Sequence, residues 1–200
     1  MKLFASQTSP YARLVRVTLT EKHLHDKVDC RFVDPWASPA ELLAVNTNCR
    51  VPTLVMPSGQ VLTEAGVIVL FLERRYPEPR LIPRDAVERV HARLGQALGC
   101  IDAGVGVITE RRYGDPDTPL ARRRFEALRR ATEGVATAVD AGASARDPDL
   151  GDLAAALALD WVRFRFGAEV PWRDRQPAVA DWLDQLLGRR SFVATAPPDA

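Results

Sequence analysis

Lysine is scarce: Lys2, Lys22 and Lys27 are the only lysines in 200 residues, so the positive charge is almost all arginine. This reads as a compositional bias, not as a functional signal. Cysteine is as sparse. Cys30, Cys49 and Cys100 stand far apart with no CxxC, which excludes a disulfide framework and suits a reducing compartment. His23, His25 and His91 have no acidic or cysteine residues gathered at ligand spacing, so no metal site is expected. Neither sign of charge dominates: 27 Lys and Arg oppose 26 Asp and Glu, for a net +1. That balance argues against binding a nucleic-acid backbone. Long apolar runs are missing too. The longest, Val67 to Leu72, cannot span a bilayer, and residues 1–10 fall short of an export-signal core. A cytoplasmic protein with neither membrane nor nucleic-acid partner is expected. With 46% hydrophobic and 26% charged residues, collagen-like and disordered classes are excluded. The length suits one or two domains with a sizeable core.

What is present divides the chain in two. Lys2 to Ser6 reads as a strand, Gln7 to Pro10 as a turn, and the stretch from Pro10 as a helix carrying Leu14, Val15, Val17 and Leu19. Asp29 to Val33 alternates as a strand. Ser38 caps a short helix that starts at Pro39. Val51 to Met56 and Gln60 to Leu62 are strands joined by Pro57-Ser58-Gly59, and Glu64 to Tyr76 is a helix stopped by Pro77. The order is β-α-β-α-β-β-α over residues 1–77. Residues 78–83 form a Pro-rich linker. Residues 84–200 form an all-helical domain, with helices over Arg84 to Asp115, Leu120 to Asp140, Asp149 to Phe166 and Gln176 to Arg190, and a tail from Ala194 expected to fray.

Three short stretches carry possible chemistry. Proline at the first helical position places Ser9 at an N-cap, where its hydroxyl lies beside bare backbone N–H groups and the positive end of the helix. An anion there is stabilised and a bound thiol is pushed toward thiolate, with Arg13 adding positive field one turn on. A purely structural cap is the plainer alternative. Val51-Pro52 puts a proline at the start of a strand; a cis bond would turn Val51 outward to pair with an extended peptide. Thr63-Glu64-Ala65 opens a helix whose free N–H groups suit a carboxylate, while Glu64 suits an ammonium group or, more simply, the helix dipole.

In their order, SQTSPYARLVRV, NTNCRVPTLV and LTEAGVIVLFLERRYP resemble the glutathione S-transferase family. The resemblance covers essentially the whole chain and implies a thioredoxin-like α/β domain followed by an all-α domain. Asp149-Leu150-Gly151-Asp152 is similar to the family's folding motif, with Asp149 as N-cap and Asp152 returning the contact.

The resemblance also assigns roles. Ser9, with Thr8 as runner-up, donates a hydrogen bond to the sulfur of glutathione, the co-substrate. Tyr11 lies inside the helix, so the chain does not resemble the tyrosine-type classes. Val51 pairs its backbone with the cysteinyl portion, held by a cis Pro52. Arg50 binds the glycyl carboxylate, and Glu64 and Ala65 hold the γ-glutamyl group. Ala65 departs from the pattern: the usual hydroxyl is missing, at a cost of about 1.5–3 kcal/mol in binding. Cys49 lies either near the ligand or buried and inert. The electrophile is expected against Tyr11, Gly104, Ile108, Arg111, Arg112 and Tyr113, although the Arg111-Arg112 pair also suits a solvated helix end. No metal or redox cofactor is implied. A homodimer is, with the long helices at its interface, and the activity would be attack of the glutathione thiolate on a small electrophile or glutathione-dependent reduction or isomerisation; the alternative is a non-catalytic glutathione-binding or protein-interaction member of the same fold.

Overall fold

The computed structural model describes residues 1–140 and 143–198. The chain forms two compact units, one of Met1–Leu81 with the segment from Gly188 onward, the other of Ile82–Leu187. The division after Leu81 falls inside the expected linker. The return of the chain to the first unit at Gly188 was not expected from the sequence.

The first unit is a four-stranded sheet in the order β2-β1-β3-β4. Strand β1 (Lys2–Ala5) runs parallel to β2 (Asp29–Phe32) and antiparallel to β3 (Thr53–Val55), which in turn pairs antiparallel with β4 (Val61–Thr63). β3 is shorter than the apolar pattern suggests, because Pro52 has no N–H to give to a ladder. Two helices pack on one another beside the sheet: α1 (Pro10–Glu21) and α3 (Ala65–Arg75). Leu14, Val15, Leu54, Ile68 and Leu72 are fully buried among them. The short α2 (Ala40–Leu43) lies between β2 and β3. There Pro39 takes the cap position and Ser38 adopts a left-handed φ of 50°, so Ser38 is not the cap the sequence suggested.

A buried ion pair ties α1 to α3. Lys22 Nζ lies 2.5 Å from Glu73 Oε2, with side chains 0% and 9% exposed. The ammonium also donates to the carbonyls of Tyr76 at 2.7 Å and Pro79 at 2.9 Å. Glu73 accepts from the Leu81 N–H at 3.2 Å, so one pair holds the chain from the end of α3 to the unit's edge.

The second unit contains α4 (Val87–Tyr113), α5 (Pro119–Asp140), α6 (Leu150–Phe166), the one-turn α7 (Trp172–Arg175) and α8 (Pro177–Leu187). The sequence pattern did not place α7, which precedes the helix expected from Gln176. Helix α6 is buried along most of its length and packs against α4, α5 and α8. Its start is the expected capping box. The Asp152 N–H donates to Asp149 Oδ1 at 2.9 Å, and the Asp149 N–H donates to Asp152 Oδ2 at 3.2 Å. Arg93 of α4 donates to Asp152 Oδ1 at 2.5 Å. Gly104 marks the close approach of α4 to α6: a Cβ there would stand 2.5 Å from Trp161 Cζ3.

The last part of the chain is not frayed at Ala194. The single turn α9 (Arg190–Val193) seals Phe192 at 1% exposure, and Thr195 is 3% exposed.

Two stability predictions follow from this packing. Gly104→Ala forces Trp161 to move and costs about 1–3 kcal/mol. Lys22→Met removes the ammonium from a buried carboxylate and costs about 3–5 kcal/mol. Urea denaturation measures both, and a change below about 0.5 kcal/mol in either contradicts the packing described.

Candidate functional site

Strand register brings the three stretches to one end of the sheet. Phe4 of β1 pairs with Thr53 of β3, and Thr53 pairs with Thr63 of β4. β1 leaves this row toward Ser9, β3 enters it from Val51-Pro52, and β4 leaves it toward Glu64. Residues separated by most of the unit's sequence therefore meet at neighbouring strand ends.

Ser9 sits at the N-cap of α1 with extended backbone, φ −75° and ψ 119°. Its Oγ accepts from the Ala12 N–H at 3.2 Å, and Pro10 occupies the first turn. A cap oxygen used as an acceptor keeps its own proton to donate, which is the requirement for stabilising an anion beside the helix end. Ser9 is half-buried, whereas Thr8 next to it is exposed.

The Val51–Pro52 peptide is cis. Strand pairing begins only at Thr53, so the N–H and C=O of Val51 lie outside the ladder. A latch that the sequence reading missed shapes this loop. Asn46, 6% exposed, donates through Nδ2 to the Arg50 carbonyl at 3.1 Å and to Thr53 Oγ1 at 2.8 Å. Thr53 Oγ1 donates to the same carbonyl at 2.8 Å. The Asn46 side-chain oxygen accepts from the Asn48 N–H at 3.0 Å, an Asx turn whose signal is the NTN in the sequence. Cys49 follows at a left-handed φ of 49°, its Sγ 3.5 Å from the Pro35 carbonyl.

Glu64 has φ 65° and ψ 121°, a backbone state that costs a non-glycine residue about 1–3 kcal/mol and collects at functional sites. It makes no side-chain cap bond, and the Ile68 N–H is the first to return to the Glu64 carbonyl. The amides of Ala65, Gly66 and Val67 consequently have no partner within the helix. Glu64 and Arg50 are both exposed, and neither side chain has an ion-pair or hydrogen-bond partner among the described residues. One end of the sheet thus presents an uncommitted carboxylate, an uncommitted guanidinium and free backbone donors.

Arg13 lies in the first turn of α1, one turn on from Ser9 as the sequence places it. It is 5% exposed, with Nη2 3.4 Å from the Phe192 carbonyl and Nε 3.5 Å from Thr195 Oγ1. The guanidinium is thus buried against that segment.

The residues expected around the electrophile divide between the units. Tyr11 is half-buried in the first turn of α1. In the second unit Ile108 is half-buried and Arg112 exposed, with the Arg112 guanidinium 5.3 Å from the Tyr113 ring. Gly104 is buried in α4 with Trp161 against the position of its missing Cβ. Arg111 forms a paired contact with Glu169 at 2.9 and 2.6 Å, as a solvated helix end would. The hydrogen bond from Arg111 holds the Glu169 carboxyl below its ordinary range.

Burial pushes the Cys100 thiol up to about 11 and the Cys30 thiol upward, so neither is a thiolate near neutrality. Among the described residues no group of His, Cys, Asp or Glu is arranged to hold a metal, and no helix is long and apolar enough to cross a membrane.

Residues 8–75 match the family described as Glutathione S-transferase, N-terminal domain. The chain is 28% identical to the GST-like protein YibF of Escherichia coli (strain K12) over the full length of both. It is 30% identical to FtsZ-localized protein A of Caulobacter vibrioides over 92% of this chain and 85% of that one. Among solved structures, a glutathione transferase family member from Pseudomonas fluorescens Pf-5, with bound glutathione, superposes with a TM-score of 0.88 at 29% identity, covering 99% of each chain. The matched stretch contains Ser9, Val51-Pro52 and Glu64, and together with the likeness to these relatives over nearly the whole chain it shows that the chain belongs to the glutathione S-transferase family.

Proposed function

We propose that the protein binds glutathione at this end of the sheet and activates its thiol for attack on a small electrophile, in conjugation or in glutathione-dependent reduction or isomerisation. The observation that supports this most strongly is the meeting of Ser9, Val51 and Glu64 at one row of strand ends. The glutathione bound in the related Pseudomonas fluorescens structure supplies the ligand class.

Each residue has a role that its chemistry allows. The free N–H and C=O of Val51 pair with the cysteinyl backbone as an added strand would. The amides opening α3 receive the γ-glutamyl carboxylate, and Glu64 receives its ammonium. Arg50 takes the glycyl carboxylate. Ser9 then faces the sulfur and donates to it. A free thiol ionises near 8.5, and lowering that by about 2 units requires roughly 2.7 kcal/mol of preference for the anion. A hydrogen bond to a charged acceptor contributes about 1.5–3 kcal/mol and a helix N-terminus about 0.3–2 kcal/mol. Their combined range, about 1.8–5 kcal/mol, spans the requirement. Catalysis is then thiolate stabilisation plus proximity, with Tyr11, Ile108 and Arg112 assigned to the electrophile. The same reading carries a cytoplasmic homodimer, with light scattering as its measurement.

One observation favours a second reading, a glutathione-binding member with little turnover. Ala65 brings only its backbone N–H to a place where the family pattern has a hydroxyl.

Two variants separate the readings. Ser9→Ala raises the pKa of bound glutathione by about 1–2 units and lowers kcat while KM for glutathione changes little. An unchanged pKa transfers the role to Thr8, tested by Thr8→Val. Ala65→Ser tightens glutathione binding by about tenfold or more in calorimetry. Unchanged affinity contradicts the placement of the γ-glutamyl carboxylate at the start of α3.

A further inference from the structure

Helix α1 carries Ser9 at one end and the Lys22–Glu73 tie at the other, and along its length it is fastened to one more distant piece of chain. Arg13 donates to the Phe192 carbonyl and Thr195 Oγ1, at 3.4 and 3.5 Å. One turn on, Arg16 donates to the carbonyls of Ala194 at 3.3 Å and Thr195 at 3.4 Å. At the far end Glu21 accepts from Arg189 Nε at 3.1 Å, Arg189 Nη2 at 2.8 Å and Ser191 Oγ at 2.5 Å. The Arg13 guanidinium also lies 5.6 Å from the centre of the Phe192 ring. Phe192 and Thr195 are sealed, at 1% and 3% exposure. The spacing of Arg13, Arg16 and Glu21 places all three attachments along one flank of the helix.

We propose that residues 189–195 act as a strap that fixes the position of α1, so that Arg13, Arg16 and Glu21 are positioning residues for the Ser9 end. The inference rests on the thiol-activating role proposed for that end. A helix end stabilises an anion only within its first turn, so a small tilt or slide of α1 weakens the effect steeply. The hydrophobic face of α1 against the sheet sets its depth, but apolar contact is non-directional, and the directional Lys22 contacts hold only the end far from Ser9. The strap supplies directional bonds at both ends of the helix. A contact at Glu21 thereby bears on chemistry at Ser9, about 18 Å away along the helix.

The test uses the full chain, with glutathione as ligand and a dinitro-substituted aryl chloride as electrophile. Glu21→Ala releases Arg189 and Ser191 together, and Thr195→Ala removes a neutral contact at the near end. Thiolate absorbance against pH gives the thiol pKa on each protein, and thermal melting confirms that each is folded at the assay temperature. Both variants are expected to raise that pKa by about half a unit or more and lower kcat, with KM for glutathione unchanged. The sign is informative for Glu21→Ala. Deleting a negative charge acts electrostatically to lower a thiol pKa, and at this distance the effect is largely screened. Variants that melt lower but keep the wild-type pKa overturn the strap, as does a fall in pKa for Glu21→Ala. A wild-type protein on which glutathione ionises as it does in water overturns the thiol-activating role itself, and the strap with it.

Discussion

The pairing of Phe4 with Thr53 and of Thr53 with Thr63 is the constraint on which the first unit depends. Strand side chains alternate between faces, so a slip by one residue would turn Leu3 and Leu54 out of the core and move every loop at that end of the sheet. Burial of those two leucines at 0% exposure fixes the register, and the register fixes where Ser9, Val51 and Glu64 emerge. The site is therefore a consequence of core packing before any of its own residues contributes.

Around that frame the local chemistry is mostly backbone chemistry. Ser9 gives a cap, Val51 an unladdered peptide group and Glu64 a helix start in an uncommon conformation. Buried polar groups hold these in place. Asn46 and Thr53 shape the loop before Val51, while Lys22 and Glu73 join the end of α1 to α3. Such groups are costly to bury unless fully bonded, which makes each a point where a single substitution changes geometry. The second unit follows a different logic. There α6 is enclosed by apolar packing, and its start is set by Asp149, Asp152 and Arg93.

Much of this was legible in the sequence because its signals are local. Ser9-Pro10 writes a helix start, Pro57-Ser58-Gly59 a turn and Asp149 with Asp152 a capping box, all within a few residues. Helix periodicity located α4, α5 and α6 to within a few positions at each end. What was not legible depends on where a long side chain ends after folding. The direction of Arg13 toward Phe192 and Thr195, the reach of Asn46 across its loop and the face that Gly104 presents to Trp161 are tertiary facts. The return of the chain to the first unit at Gly188 is another, since the pattern of residues 176–190 reads as one more helix of the second unit.

The central claim is that three backbone segments at one end of the sheet form a single ligand site. A titration of the isotopically labelled full chain with glutathione, followed by amide resonances, measures it most directly. The resonances of Ser9, Val51, Ala65 and Gly66 are predicted to shift along one common saturation curve. Separate curves for these amides, or shifts confined to residues 82–187, would contradict the account.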